Sequence, residues 1–364
     1  MRPLATGATI GIVGGGQLGR MLGLAALDLG FRVHVFAPPE ADNVAFAIAH
    51  DTVEAPYEAA AAMARFAAGV DVLTYEFENV PVAALADIAT PIHPSPQALL
   101  KAQDRLTEKA FLAECGLPVG RHAPVASVAQ LDAAREAIPD GILKARRLGY
   151  DGKGQARVTP DVPSADAFAE IGAVPAILEA RIPFRAETSL VLVRGMDGAS
   201  RAYDMAHNSH EAGILRETAF PAPVDAAAAG KAAAWVARLC EALAYVGVIG
   251  VEFFVTGDPE TPLIANEMAP RVHNTGHWTM DGADTSQFEN HIRAIAGWPL
   301  GSTQRRADVT MRNLIGDEID DLPAHLQNPA AMPHVYGKRE TRPGRKMGHV
   351  NFIAGTVDFD GNRC

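Results

Sequence analysis

The stretch VGVIGVEFFVTGDPETPLIANEMAP (246–270) reads as two apolar strands, each interrupted by one glutamate, around the turn-rich TGDPETP. Apolar runs bounded by Gly, Pro and Asp predict a β-hairpin. Setting Val255 opposite Ile264 sets Glu252 opposite Glu267 as well. Two carboxylates side by side on an apolar sheet repel one another and are poorly solvated, so the pair calls for a proton or a divalent cation between them. Magnesium accepts a few carboxylates while also holding phosphate oxygens, and it is the expected occupant. Asn266 is placed to add a ligand or a phosphate contact. The competing reading is an edge hairpin with both acids in solvent, which the apolar flanks oppose.

Directly after the hairpin, APRVHNTGHW (269–278) packs Arg271, His273, Asn274 and His277 into ten residues. The two histidines are spaced i, i+4, but Gly276 interrupts a helix and no zinc-type Glu accompanies them. An anion- and substrate-positioning loop is the better reading.

Upstream, ILKARRLGYDGKGQ (142–155) carries Lys144 on a strand just before Gly149, Gly152 and Gly154. It lacks the Gly-Lys-Ser/Thr ending of a Walker loop and joins two strands. With Arg146, Arg147 and Lys153 it suits a mobile lid over a triphosphate; a solvated basic hairpin is the plain alternative. ILEARIPF (177–184) ends a strand at Glu179, where carbonyls for a base and Glu187 for sugar hydroxyls are near.

The other glycine motif, IGIVGGGQLGRM (10–21), has the Gly14-x-Gly16-x-x-Gly19 spacing between an apolar strand and a helix predicted over Gln17–Leu29. That arrangement points backbone N–H groups at an anion. A dinucleotide site also wants an acid ending the second strand. Here Phe31–Phe36 runs into Ala37-Pro38-Pro39, so NAD is disfavoured and another phosphate preferred. Near the end, YGKRETRPGRKMGHV (336–350) clusters Lys338, Arg339, Arg342, Arg345 and Lys346, a grip for a phosphate from the opposite side.

The 364 residues suffice for two or three domains, and their 48% hydrophobic and 21% charged content is that of an ordinary globular chain. A net charge of −11 argues against a nucleic-acid surface. No apolar run is long enough for a membrane span, and no signal core opens the chain. Cys115, Cys240 and Cys364, odd in number and far apart, give neither a disulfide framework nor a metal pair, so a cytoplasmic location is expected. Alternating strand and helix signals predict an open α/β unit over 1–100, including a strand at Val70–Phe77, and a helix over Leu100–Cys115. A strand–helix section follows over about 119–185, then antiparallel strands around an Ala-rich helix at 225–244, and turns with short strands from about 305.

Five segments together, GGGQLGRM (14–21), YEFENV (75–80), KARRLGYDGKGQ (144–155), NEMAPRVHNTGHW (266–278) and GRKMGHV (344–350), resemble the N5-carboxyaminoimidazole ribonucleotide synthetase family of ATP-grasp enzymes, in order over about residues 10–353. The resemblance implies an α/β (α+β overall) ATP-grasp fold: a Rossmann-like domain over 1–100, an ATP-grasp domain over 101–304 with its lid at about 119–185, and a small β-rich domain over 305–364. It implies ATP-dependent carboxylation of 5-aminoimidazole ribonucleotide by bicarbonate, with magnesium (or manganese), in a homodimer without nucleic-acid or membrane partners. By the same resemblance, ATP falls to Arg105, Lys144, the lid residues Gly149, Tyr150, Asp151, Gly152, Lys153, Gly154 and Gln155, then Glu179, Ala180, Arg181 and Ile182 around adenine, Glu187 at the ribose, His210, Asn266 and Glu267. Glu252 and Glu267 hold the metal. The ribonucleotide falls to Gly15, Gly16, Gln17, Leu18 and Glu76, with Lys338 and Arg345 on its phosphate, and Lys144, Arg271, His273 and Asn274 are the catalytic set. The family more often shows Pro and Ser where this chain has Val272 and Thr275; Thr275 keeps the hydroxyl. The rivals are a formate-using transformylase of the same superfamily, an NAD-dependent oxidoreductase, and a non-catalytic nucleotide-binding regulator. Retention of Lys144 and both metal glutamates weakens the last.

Overall fold

The computed structural model describes residues 2–39, 42–149 and 154–355. Tyr150, Asp151, Gly152 and Lys153 of the glycine loop, and Cys364, lie outside them. The N-terminal sheet holds β1 (Thr9–Val13), β2 (Arg32–Ala37), β3 (Asp51–Glu54) and β4 (Val72–Tyr75), all parallel in the order β3-β2-β1-β4. Strands buried on both faces read as continuous apolar runs, and Ile10, Ile12, Val33, Val35, Val72 and Leu73 are indeed fully buried. Each such side chain contributes roughly 1.5–3 kcal/mol. The helix Gln17–Asp28 crosses over from β1, so its N-terminus and the carboxyl ends of β1 and β4 share one edge of the sheet, where such folds bind ligands.

A second, antiparallel sheet contains β5 (His122–Val125), β6 (Gly141–Ala145), β7 (Gln155–Val158) and β8 (Ala176–Ala180), in the order β5-β8-β6-β7. Lys144 pairs with Gln155, so the glycine loop does join two strands. Leu131, Leu143, Phe168 and Leu178 belong to this layer's own core.

The third sheet is the largest: β9 (Ala186–Arg194), β10 (Ser200–Ala202), β11 (Ala206–Glu211), β12 (Ile214–Ala219), β13 (Gly247–Val255), β14 (Leu263–Ala269), β15 (Val309–Ile315), β16 (Ala331–Val335) and β17 (Lys346–Ile353). Its order is β14-β13-β9-β11-β12-β15-β17-β16, with β10 on β9. The C-terminal strands therefore extend the central sheet through the β12–β15 pair. The Ala-rich helix, Ala226–Ala242, is capped by Asp225, whose carboxylate accepts the Ala228 N–H, and it buries Ala232, Val236 and Leu239.

Two expectations need correction. The helix expected over Leu100–Cys115 is two helices, Pro96–Ala102 and Arg105–Glu114. The first ends with Gln103 as its C-cap, and Asp104 caps the second by accepting the Leu106 and Thr107 N–H groups, which puts Arg105 at a helix N-terminus. The hairpin register also differs from a simple count: Val255 pairs with Leu263 and Phe254 with Ile264, yet Glu252 does pair with Glu267. A bulge between Glu252 and Phe253 restores that match, with Asn266 as the extra residue. Among the described residues no helix is long and apolar enough to cross a membrane.

Candidate active site

The site lies where the three sheets meet. Because Asn266 is unpaired in the β13–β14 ladder, the inside–outside alternation slips, and Asn266 and Glu267 are both left half-exposed between buried Ala265 and Met268. Burial, and after it the neighbouring Glu267, pushes the Glu252 carboxyl up to about 7. Burial acts on Glu267 too, but Arg105 and Lys144 outweigh it and hold that carboxyl below its usual range. Arg105 Nη1 donates to Glu267 Oε2 at 3.2 Å, and Nη2 donates to the Gly149 carbonyl at 3.1 Å.

Beside this pair stands a buried lysine cluster. Lys144 Nζ lies 3.1 Å and Lys109 Nζ 3.3 Å from Glu179 Oε2. Burial favours the neutral acid, but the two ammonium groups prevail and bring Glu179 down to about 2. Lys109 Nζ also donates to the Asn266 carbonyl at 2.5 Å, fixing the bulge. Among the described residues, the Glu179 Oε1 and Asn266 Oδ1 atoms are buried without a protein partner; both suit a ligand. Arg181 is paired with Asp140, and Ala180 donates its N–H to the Arg121 carbonyl. Ile182 follows as a half-exposed residue of the segment leaving β8. Glu187 and His210 form an ion pair across the β9–β11 ladder, and that hydrogen bond raises the imidazole against its burial.

Sequence reasoning passed over Asp104, Glu108 and Lys109. Their signal was available: Glu108 and Lys109 share a helix face with buried Phe111 and Leu112, and a charge on an apolar stripe is out of place unless paired. Asp104 also receives Arg146 at 2.8 Å and Arg147 at 3.3 Å.

On the far side, Arg271 is enclosed, with Nε donating to Glu78 Oε2 at 2.5 Å and Nη1 to the Val272 carbonyl at 3.0 Å. His273 has its Nδ1 2.8 Å from the Thr275 hydroxyl and its Nε2 3.6 Å from Glu252 Oε1. Burial, helped by Arg271 and Lys346, drops the His273 imidazole to about 3, so it is neutral. His277 turns away from it, towards Gln287 and the His349 ring. Among the described residues, no group of three or more His, Cys, Asp or Glu is arranged to hold a metal. Asn274 and Asn313 exchange reciprocal amide hydrogen bonds of 3.1 and 3.0 Å; the Asn274 side chain is thus committed to holding the loop against β15.

The first glycine loop has an anion of its own. Glu76 Oε1 accepts the Gly16 N–H at 2.7 Å and Oε2 the Gly19 N–H at 3.1 Å, so this carboxylate sits at the helix N-terminus beside Gln17 and Leu18. Gly15 packs against Asn43, and a Cβ on Gly14, whose φ is +123°, would run into the Glu76 methylene. Facing this loop, Lys338 donates to the Lys346 carbonyl at 2.8 Å, and burial, then Arg345, lowers it to about 8. Arg345 is held 2.6 Å from Asp42, which also accepts the Arg339 N–H. The basic loop is therefore tied to the N-terminal unit by an acid that its own sequence did not announce.

Three family models and many known proteins match this chain. Residues 7–103 match the ribonucleotide synthetase preATP-grasp domain, 110–288 the ATP-grasp domain, and 309–358 the phosphoribosylaminoimidazole carboxylase C-terminal domain. The N5-carboxyaminoimidazole ribonucleotide synthase of Brucella melitensis is 48% identical over 356 residues, 96% of this chain and 97% of that protein. The chain belongs to the N5-carboxyaminoimidazole ribonucleotide synthase family. The ADP complex of one such synthetase has a TM-score of 0.92 at 37% identity, covering 97% of this chain and 94% of the other. The Aspergillus clavatus synthase, solved with ADP and 5-aminoimidazole ribonucleotide, has a TM-score of 0.87 at 30% identity, covering 96% and 95%. The family is thus one of ATP-grasp ligases, and the NAD reading of the first glycine motif falls away.

Proposed function

We propose that this chain uses ATP to carboxylate 5-aminoimidazole ribonucleotide with bicarbonate, giving N5-carboxyaminoimidazole ribonucleotide, ADP and phosphate on the route to IMP. One observation carries the reading: the Glu252–Glu267 pair lies between the cationic group Arg105, Lys144 and Lys109 and the Arg271–His273 loop. A nucleotide triphosphate on one side thus meets an acceptor on the other. Residues 1–100, 101–304 and 305–364 then act as the acceptor-binding, ATP-grasp and closing units.

The donor set fits magnesium, with manganese as a substitute. Two carboxylates, one pushed up to about 7 by burial and by its neighbour, and a buried unpartnered Asn266 Oδ1 are oxygen donors for a hard cation that keeps phosphate and water ligands. Such an ion neutralises charge on the transferring phosphoryl group.

Bicarbonate oxygen attacks the γ-phosphorus, the bond to ADP breaks, and carboxyphosphate forms. Lys144 and Arg105 meet the phosphates, and Arg271 faces the charge developing on the carboxyl side. The lid from Gly149 to Gln155 keeps water from a hydrolytically fragile intermediate. The exocyclic amine of the aminoimidazole then takes the carboxyl carbon and phosphate leaves. The departing phosphate takes the amine proton, and neutral His273, its Nδ1 held by Thr275, is placed to orient the amine. The ribonucleotide rests on Gly15–Leu18 and Glu76, with Lys338 and Arg345 at its phosphate. Glu179–Ile182, Glu187 and His210 surround the adenosine. A homodimer working in the cytoplasm completes the proposal.

The test is phosphate release from ATP in bicarbonate buffer, with and without 5-aminoimidazole ribonucleotide. Stimulation by that nucleotide is expected, and its absence would remove the substrate assignment. Formate in place of bicarbonate gives no stimulation on this reading.

A further inference from the structure

The YEFENV segment (75–80) contains two acids, and only Glu76 touches the first glycine loop. Glu78 points the other way. Its carboxylate takes the Arg271 Nε–H at 2.5 Å, across 193 positions of sequence and from the N-terminal unit to the loop that follows β14. Both side chains are largely buried, at 27% and 16% exposure. A guanidinium removed from water needs a counter-charge with good geometry. Burial works against ionisation of Glu78, yet Arg271 keeps that carboxyl below its usual range, so the pair is ionic.

The guanidinium has five N–H donors in a fixed fork. Glu78 engages Nε and the Val272 carbonyl engages Nη1. Among the described residues Nη2 meets no protein acceptor, and the planar fork fixes its direction once the other two edges are held. Orientation of Arg271 is therefore set by Glu78.

The backbone bearing Glu78 is itself clamped. Gln103 Nε2 donates to the Glu78 carbonyl at 2.9 Å and to the Val80 carbonyl at 2.7 Å. Gln103 immediately precedes Asp104, the cap of the helix that presents Arg105, Glu108 and Lys109. Two residues before Glu78, Glu76 holds the Gly16 and Gly19 amides. One short segment thus contacts the acceptor-side glycine loop, Arg271, and the start of the phosphate-side helix.

We propose that Glu78 is the positioning residue that orients Arg271 where the two substrates meet, with Gln103 fixing the backbone of Glu78, so that carboxyl transfer stays coupled to ATP cleavage. This rests on the carboxylation reading above. Loss of the hold leaves the phosphates gripped by Arg105 and Lys144, while the activated carboxyl group meets a wandering guanidinium and is lost to water.

The experiment measures phosphate released and acceptor carboxylated in the same reaction, for wild type, Glu78→Gln, Glu78→Asp and Gln103→Ala, with thermal melting and ADP titration of each. Wild type stimulated by the ribonucleotide establishes the underlying reading by itself. For Glu78→Gln, carboxylated product falls about tenfold or more, as for a charge-assisted bond lost at a reacting centre. Phosphate release falls less, so the phosphate-to-product ratio rises, while ADP affinity is retained. Glu78→Asp recovers part of the coupling. A ratio that stays at the wild-type value, with rate and melting temperature falling together, would show Glu78 to be merely structural and overturn the proposal. Should Glu78→Gln not fold, Gln103→Ala keeps both charges and decides the matter: a raised ratio supports the proposal and an unchanged one rejects it.

Discussion

Glu252 and Glu267 stand opposite one another because Asn266, between Ala265 and Glu267, is left out of the β13–β14 ladder. The arrangement has a pH signature. Burial and Glu267 push Glu252 up to about 7, so the free protein carries a proton there below that pH, and a cation must displace it. Apparent Mn²⁺ or Mg²⁺ affinity in the presence of nucleotide should then rise with pH up to about 7 and level off above it, falling by up to about tenfold per unit on the acid side. Calorimetry in buffers of different ionisation enthalpy counts the released proton. Equal affinity at pH 6 and 8 would disprove a shared carboxylate site, and Glu252→Gln should abolish the proton release.

A pair of glycines separates conformational strain from crowding at the first loop. Gly7 and Gly14 both have positive φ, +85° and +123°, but only Gly14 has a side chain, Glu76, in the space a Cβ would take. Gly7→Ala should cost about 1–2 kcal/mol. Gly14→Ala should cost on the order of 3 kcal/mol and weaken ribonucleotide binding, since Glu76 must move off the Gly16 and Gly19 amides. Urea unfolding and ribonucleotide titration measure the two effects; equal costs at both positions would remove the crowding argument.

The parts of this site that local pattern controls were legible in the sequence. The two apolar strands and the glutamate on each were legible, although Glu252 meets Glu267 only through the bulge, and the strand–glycine–helix order marked N–H groups that hold an anion, which in the structure is the Glu76 carboxylate. The bulge was hidden because LIANEMA alternates acceptably in either register, and only tertiary fit decides that Asn266 is the extra residue. The break at Asp104 was hidden because the apolar spacing of 100–115 continues through it. Lys109 and Glu108 stand out as charges on an apolar stripe, but their partners Glu179 and Met268 come from distant strands and only the fold reveals them. Asp42 and Glu78 matter only through Arg345 and Arg271, which no local rule connects to them.

Lys338 gives an alkaline limit. Burial first, and Arg345 next, lower its ammonium to about 8. The protonated form, which grips phosphate, therefore prevails below that pH and is lost above it. kcat/KM for the ribonucleotide should decline above pH 8, by up to about tenfold per unit, because this ratio reports ionisations of the free enzyme. The corresponding ratio for ATP should lack that limb. Lys338→Arg keeps its charge and should flatten the decline; persistence of the same limb in that variant would assign it to another group.

Glu108 provides a stability test independent of catalysis. Its carboxyl accepts the Met268 N–H at 2.6 Å with the residue only 3% exposed, and burial, then Glu267, raises it to about 8 from an ordinary value of 4.5. Below pH 4.5 the group is neutral in both folded and unfolded chains and has no effect. Between 4.5 and 8 the unfolded chain releases the proton and the folded one keeps it, so stability drains away as pH rises, and above 8 the loss is complete. Glu108→Gln retains an oxygen for Met268 and has no proton to lose. In urea unfolding of metal- and nucleotide-free protein, the variant should match wild type near pH 4.5 and exceed it at pH 8.5, by on the order of 1–3 kcal/mol. Parallel pH profiles for the two proteins would mean that Glu108 is ionised throughout, with Lys109 as its counter-charge in place of a proton.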